Sequence, residues 1–378
     1  MSFLESTRIG EETEVTDLRK KPFYPIGDDL RQYLKLYKRE VKLPVTYDDL
    51  YNNLNYSVAL KDPYGKPTEW EKVIYDIREW EFLSEGLIDI YAILKTKGDP
   101  TYARHWRVES IDYCPFGNSN PFRVKIVNKT NNNHDLFYVK KADASRMYGL
   151  ELEHLLSPYR MRYFTHRTTL IEEHIPGIPG DIFIQSYLDS PLTDRVRFAK
   201  EFVKFNERCF VRLLGDMRSY NFVVNIMPDV DGTQYRVRAI DFDQQSYEGK
   251  KNFYRPQFFK DNSPLVKRTL ETLCKEAIEQ YQTEERTLMA SRITIIRHRL
   301  YDLLNIMGND VISTCEKTAQ LKQELADHLS DTRFLACRSM GDVVKTQLKH
   351  TLQKNLCRIQ EARKKYAESV VQRQVVFA

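Results

Sequence analysis

The feature that most constrains this chain is an abrupt change of hydrophobic period near Arg107. From Arg107 to Tyr113 apolar and polar residues alternate, the period of a half-buried strand. CPFGNSNP (Cys114 to Pro121) then forms a turn, and Phe122 to Val127 alternates again with Phe122, Val124 and Ile126 on one side. The turn cluster NKTNNNHD (Asn128 to Asp135) leads into a third run, LFYVKK (Leu136 to Lys141). Three such runs joined by short turns predict an antiparallel meander. A helix is expected from Ala144 to Leu156. Two further strands, Thr168 to Glu173 and Asp181 to Tyr187, follow around IPGIPG.

The period then lengthens. Leu192 to Leu213 carries helical spacing, through Val196, Ala199, Phe202, Val203 and Phe210. Asn221 to Met227 and Tyr235 to Ile240 predict one short hairpin across PDVDGTQ. Beyond Pro264 helices are expected at 264–285, 286–307, 315–329 and 340–371. Before the meander, residues 1–102 read as an irregular, mostly helical extension, with helical spacing over Leu30 to Val41 and Trp70 to Leu94. The expected class is α+β. Its divisions are an N-terminal extension at 1–102, a sheet-bearing region at 103–190 and a helical region at 191–378.

Composition excludes several alternatives. At 378 residues, 42% hydrophobic and 29% charged, the chain can bury a core without disulfides. No run of about 18 apolar residues exists, so no spanning helix is expected. The opening MSFLESTRIGEETEV is acidic and lacks an apolar stretch, so a cytoplasmic location without a secretory signal is expected. The six cysteines are scattered without a CxxC pair, which argues against zinc. The net charge of +5 is concentrated in Lys345, Lys349, Lys354, Arg358, Arg363, Lys364, Lys365 and Arg373. Val344, Leu348, Leu352 and Leu356 lie on the other side of the same predicted helix, so the basic run reads as its solvated face. Nucleic-acid binding is therefore not expected, although a salt-sensitive basic tail is the rival reading. A protein partner on the helical C-terminal region fits the same pattern.

The chemistry-bearing residues cluster around the hairpin. LLGDMRSYNFVVNI places Asp216, Arg218 and Asn221 in a helix-to-strand loop, and IDFDQ places Asp241 and Asp243 at the end of the second hairpin strand. Upstream, Lys140 closes a meander strand, with Lys141 on the opposite strand face. Glu151 and Glu153 lie on the next predicted helix. Phosphoryl transfer needs such a set: a carboxylate for the attacking hydroxyl, oxygen ligands for a hard cation and a cation for the transferring group. Asp216 would be the base, Asn221 a metal ligand, Asp241 the main metal ligand and Arg218 the group facing the γ-phosphate.

In this order the residues resemble divergent protein-kinase-like folds, similar to HipA-type kinases, aminoglycoside phosphotransferases and phosphoinositide kinases. Asp216, Arg218 and Asn221 match D-x-[KR]-x-x-N, and Asp241-Phe242-Asp243 matches D-F-G in a D-F-D form. Phe137 to Lys140 matches the V-A-I-K strand loosely, and Glu151, with Glu153 as rival, matches the helix glutamate. The resemblance implies two lobes: an antiparallel five-stranded sheet and a mostly helical second lobe, with ATP in the cleft. It implies Mg²⁺ or Mn²⁺ on Asn221, Asp241 and Asp243. Nucleotide contacts would come from Lys140, Glu151, Gly117, Asn118, Ser119, Gln185 and Tyr187, the last two at a hinge. The expected activity is an ATP-dependent phosphotransferase with an unidentified hydroxyl acceptor. A pseudokinase-like binding module and a nucleotidyl transferase are the alternatives.

The sequence also departs from the pattern. Leu214 and Gly215 precede Asp216, the glycine as in small-molecule and lipid kinases. The phosphate-covering loop has one glycine, Gly117, and no A-P-E segment follows Asp243.

Overall fold

The computed structural model describes residues 21–62, 65–96, 98–117, 119–230 and 232–376, with side chains as far as Tyr366. Among these, the chain forms two compact units. One takes residues up to Met147 together with Met161–Ile175, and the other takes Tyr148–Arg160 and everything from Pro176 onward. The class is α+β, with a large antiparallel sheet and a helical C-terminal half.

The first unit is built on a sheet. Its elements are α1 (Asp28–Leu36), α2 (Tyr47–Asn52), β1 (Tyr56–Lys61), β2 (Pro67–Ile74), α3 (Ile77–Thr96) and α4 (Pro100–Ala103). The meander follows as β3 (Trp106–Tyr113), β4 (Phe122–Asn128) and β5 (His134–Lys141), and then α5 (Ala144–Leu156) begins. The unit closes with β6 (Tyr163–His166) and β7 (Thr169–Glu173). Seven strands pair in the order β1-β2-β3-β4-β5-β7-β6, so the expected count of five is not what forms. Phe122, Val124 and Ile126 face the core together, as the alternation predicts, and meet Phe137 and Val139 of β5 and the Leu83, Leu87, Ile90 and Leu94 stripe of α3. Each fully buried aliphatic or aromatic side chain of this kind contributes roughly 1.5–3 kcal/mol relative to exposure.

Three sequence expectations are corrected here. Trp70 to Ile74 belongs to a strand, because β2 pairs with β1 and β3 (Val73 lies opposite Ser57), and tertiary pairing overrides the helical spacing. The described residues before Ala103 therefore contain two strands and are less helical than expected. Strand β6 escapes the sequence reading because its two-residue turn to β7 carries Arg167 at φ 54°, where a glycine or asparagine normally signals a hairpin. The segment Asp181 to Tyr187 is the third correction. It is not a strand; α6 runs over Gly180–Ser186.

The second unit holds β8 (Ile178–Pro179), α6, α7 (Arg195–Arg212), the hairpin β9 (Phe222–Asp229) and β10 (Gly232–Ala239), and then α8 (Ser263–Thr272), α9 (Lys275–Asn309), α10 (Cys315–Leu329) and α11 (Met340–Val376). Its sheet has the order β10-β9-β8. Asp194 caps α7 by accepting a hydrogen bond from the Arg197 N–H, and Thr314 caps α10 in the same way through Lys317. Helix α9 runs through the expected break at 285/286 and is instead kinked at Ile296. Glu285 is buried there against Arg208, Nη1 to Oε1 at 3.3 Å. Val344, Leu348 and Leu352 of α11 are buried, while Lys349, Lys354 and Arg358 are exposed, so the basic run is indeed largely a solvated face.

Candidate functional site in the helical unit

Helix α7 ends because Leu213 adopts a left-handed conformation at φ 54°. The chain then enters an irregular loop whose backbone groups are satisfied by two other loops. Gly215 N–H donates to the Gln244 carbonyl at 3.2 Å and Ser246 N–H to the Leu213 carbonyl at 2.9 Å, so 213–216 runs beside 242–246. Asp216 N–H donates to the Phe253 carbonyl at 3.2 Å. A Cβ on Gly215 would stand 2.6 Å from the Phe253 ring, so this close approach requires glycine.

Asp216 itself sits at φ 57°, a strained position that aspartate and asparagine tolerate better than most residues. Its carboxylate accepts from Arg218 Nε at 3.2 Å, and Arg218 also pairs with Asp261 at 3.5 Å. Asn221 closes a short 3₁₀ turn and donates from Nδ2 to the Asp216 carbonyl at 2.7 Å. That bond commits the amide nitrogen and leaves Oδ1 as the atom that could meet a cation. The Asn221 carbonyl accepts from the Ile240 N–H at 3.0 Å, which sets Asp241 immediately beside the loop. Asp243 N–H donates to Asp241 Oδ1 at 3.2 Å.

Asp216, Arg218, Asn221, Asp241 and Asp243, which the sequence pattern singles out, thus meet in one place. Their charges interact. Burial, and then the charges of Asp241 and Asp243, push the Asp216 carboxyl up to about 6, against the opposing pull of Arg218. The site holds more carboxylates than cations and offers hard oxygen donors, a donor set that fits Mg²⁺ or Mn²⁺. Among the described residues no group of three His, Cys, Asp or Glu side chains stands ready to hold a metal by itself. Mg²⁺ on phosphates asks for less, one or two carboxylates with the remaining positions filled by substrate oxygens and water.

Helix α6 explains why Asn221 is held so firmly. A Cβ on Gly180 would fall 2.4 Å from the Ser219 carbonyl and 2.3 Å from the Phe222 ring. The first turn of α6 therefore packs directly on the loop, and Phe183 buries its ring against Phe198 at 4.7 Å. Gln185 and Tyr187, expected as strand residues of a hinge, are instead exposed residues at the end of this helix.

The sheet unit holds the remaining candidates. Lys140 is buried, whereas Lys141 is exposed with its Nζ 5.3 Å from the Tyr47 ring centre. The Lys140 Nζ lies 2.5 Å from Glu172, which also accepts from Arg146 at 3.0 Å. Burial pushes the Glu172 carboxyl up, but the Lys140 and Arg146 charges outweigh it and hold it below its ordinary value. The glutamates expected to anchor Lys140 are engaged elsewhere: Glu151 by Arg299 at 2.6 Å, and Glu153 by Arg212. Glu172 is thus the residue that sequence reasoning missed. Its signal was register, since Lys140 faces Leu170 across β5 and β7 and Glu172 is the diagonal neighbour on the same face.

The loop around Gly117 closes on itself. Asn120 N–H donates to the Gly117 carbonyl at 3.1 Å, Asn120 Nδ2 donates to the Tyr113 hydroxyl at 2.8 Å, and the Tyr47 hydroxyl donates to the Asn120 carbonyl at 2.9 Å. Gly117 packs under Pro121, where a Cβ would come within 2.9 Å of its ring. Ser119 lies in the turn, and Asn118 lies outside the described residues. These bonds account for the loop as a hairpin turn.

No protein-family model matches the chain, and no curated protein matches it.

Proposed function

We propose that this protein is a divergent kinase-like phosphotransferase that uses ATP with Mg²⁺ or Mn²⁺ and phosphorylates a hydroxyl of a protein, lipid or small-molecule acceptor. The observation that carries the reading is the meeting of Asp216, Asn221, Asp241 and Asp243 in one loop cluster of the helical unit. The order of elements supports the same reading: an antiparallel meander, a helix, and then a hairpin among helices.

In this reading the Asp216 carboxylate accepts the proton of the attacking hydroxyl as the new oxygen–phosphorus bond forms. The bond from the γ-phosphorus to the bridging oxygen breaks, and ADP leaves with the electron pair. A carboxyl with a raised pKa is a stronger base than an ordinary aspartate, which suits that task. Arg218 orients Asp216 and supplies a cation toward the transferring group. Asn221, Asp241 and Asp243 would hold the metal ion, which neutralises charge on the phosphate oxygens when bound. In the sheet unit, the carboxylate that anchors Lys140 is Glu172 rather than Glu151.

The test is phosphate transfer from γ-labelled ATP to candidate protein, lipid and small-molecule acceptors. Asp216→Ala and Asp241→Ala should each abolish transfer while far-ultraviolet circular dichroism stays unchanged. Full activity in both variants would overturn the mechanism. Mg·ATP binding without transfer would reassign the chain to a nucleotide-binding module, and retention of an α-label on an acceptor would reassign it to nucleotidyl transfer.

A further inference from the structure

The Asp216 loop rests on a segment that comes some forty residues later in the chain. Just before α8, residues 256–262 fold as two short 3₁₀ turns, Pro256–Phe258 and Lys260–Asn262. Phe259 places its ring centre 5.4 Å from the Arg218 guanidinium, and Asp261 reaches Arg218 Nη1 at 3.5 Å. Asn262 is fully buried and reaches the backbone of the loop itself. Its Nδ2 donates to the Met217 carbonyl at 2.9 Å and to the Pro256 carbonyl at 2.8 Å.

The ordinary reason for an asparagine here does not hold. Asn262 stands at the N-cap of α8, where an asparagine side chain commonly accepts a hydrogen bond from the first turn, yet it makes no such bond. Its Oδ1 accepts no hydrogen bond from the described residues, so the donors account for an amide at this buried position. The more telling of the two recipients is Met217, the residue between Asp216 and Arg218, which is itself buried. Asn221 already holds the Asp216 carbonyl through its own Nδ2. Two consecutive carbonyls of the loop are therefore each held by an asparagine amide, one from within the loop and one from the segment before α8. Pinning both fixes the peptide groups from which the Asp216 and Arg218 side chains leave the backbone.

We propose that Asn262 is a positioning residue of the Asp216 site: through the Met217 carbonyl it holds Asp216 and Arg218 in register with Asn221. For what the loop does, the inference rests on the phosphotransferase reading. For how the loop is held, it rests on the hydrogen bonds alone.

Hydrogen–deuterium exchange of the full chain, read by mass spectrometry, tests how the loop is held. Asn262→Ala takes the donor from the buried Met217 carbonyl. The backbone amides of 213–222 should then exchange at least tenfold faster, while those of α10 stay within twofold. Equal acceleration in both segments would mean a general loss of stability, and no acceleration at 213–222 would mean no role; either result overturns the proposal. Should Asn262→Ala fail to fold, Asn262→Asp decides the matter. It keeps the shape, and a buried carboxyl with no cation beside it stays protonated and offers a single donor. A smaller acceleration confined to 213–222 is expected there, and none would overturn the proposal. Turnover of γ-labelled ATP, with release to water as a probe that needs no acceptor, tests the consequence. In Asn262→Ala, or in Asn262→Asp if only that variant folds, kcat should fall at least tenfold with KM for ATP within twofold, and an unchanged kcat would overturn the positioning role. A native protein with no turnover, to water or to any acceptor, would refute the phosphotransferase reading instead, and the exchange experiment would still decide whether Asn262 holds the loop.

Discussion

Replacing Asp216 with asparagine should stabilise the folded chain at pH 8, and in the proposed phosphotransferase reading it should also remove the base. The reasoning starts from the carboxyl raised from 3.8 to about 6 by burial and by Asp241 and Asp243. At pH 8 the folded protein must keep this group ionised where ionisation is disfavoured. At about 1.36 kcal/mol per pKa unit, that costs about 3 kcal/mol relative to the unfolded chain. The folded-state value lies above the unfolded one. The favourable contribution is therefore complete below about pH 4 and is lost as the pH rises through about 6. Asp216→Asn mimics the protonated form and keeps an oxygen for Arg218 Nε. The pull of Arg218 on the ionised form is already contained in that net rise, so the gain expected at pH 8 is about 3 kcal/mol. Asparagine also tolerates the left-handed backbone at this position. The assay is urea denaturation of both proteins in EDTA at pH 8 and at pH 4. A variant less stable than the native protein at pH 8 would refute the argument, and so would a stability difference of the same size at pH 4.

Two further outcomes follow from the same geometry. If Asp216 is the base, kcat/KM should rise with pH through an apparent pKa near 6 in the free enzyme, and the limb should be absent from any residual activity of Asp216→Asn; a pH–rate profile flat from pH 5 to 8 would remove Asp216 from that role. Glu172→Gln should cost about 3–5 kcal/mol, because it leaves Lys140 and Arg146 buried without that carboxylate; urea denaturation of the variant checks this, and a loss below about 1 kcal/mol would refute it.

Local pattern carried much of this protein. The meander, the hairpin β9–β10, the helical character beyond Pro264 (though not the break, which falls after Thr272 and not at 285/286) and the loop residues Asp216, Arg218 and Asn221 were legible, because alternation, turn chemistry and short spacings act between residues close in the chain. Asp241 was placed for the same reason, since a strand of known length delivers its last residue to a known end of the hairpin.

Tertiary structure decided the rest. Trp70 to Ile74 became a strand only because β1 and β3 were there to pair with it. Asp181 to Tyr187 became a helix where Gly180 could approach Ser219 more closely than any side chain permits. Lys140 found Glu172 because sheet register, not helical spacing, sets which carboxylate lies beside it. One cleft is lined by both Asn206 and Lys354, on helices far apart in the chain. Short-range chemistry is written residue by residue, but a long side chain's partner depends on which distant segments share its face, and only the packed fold determines that.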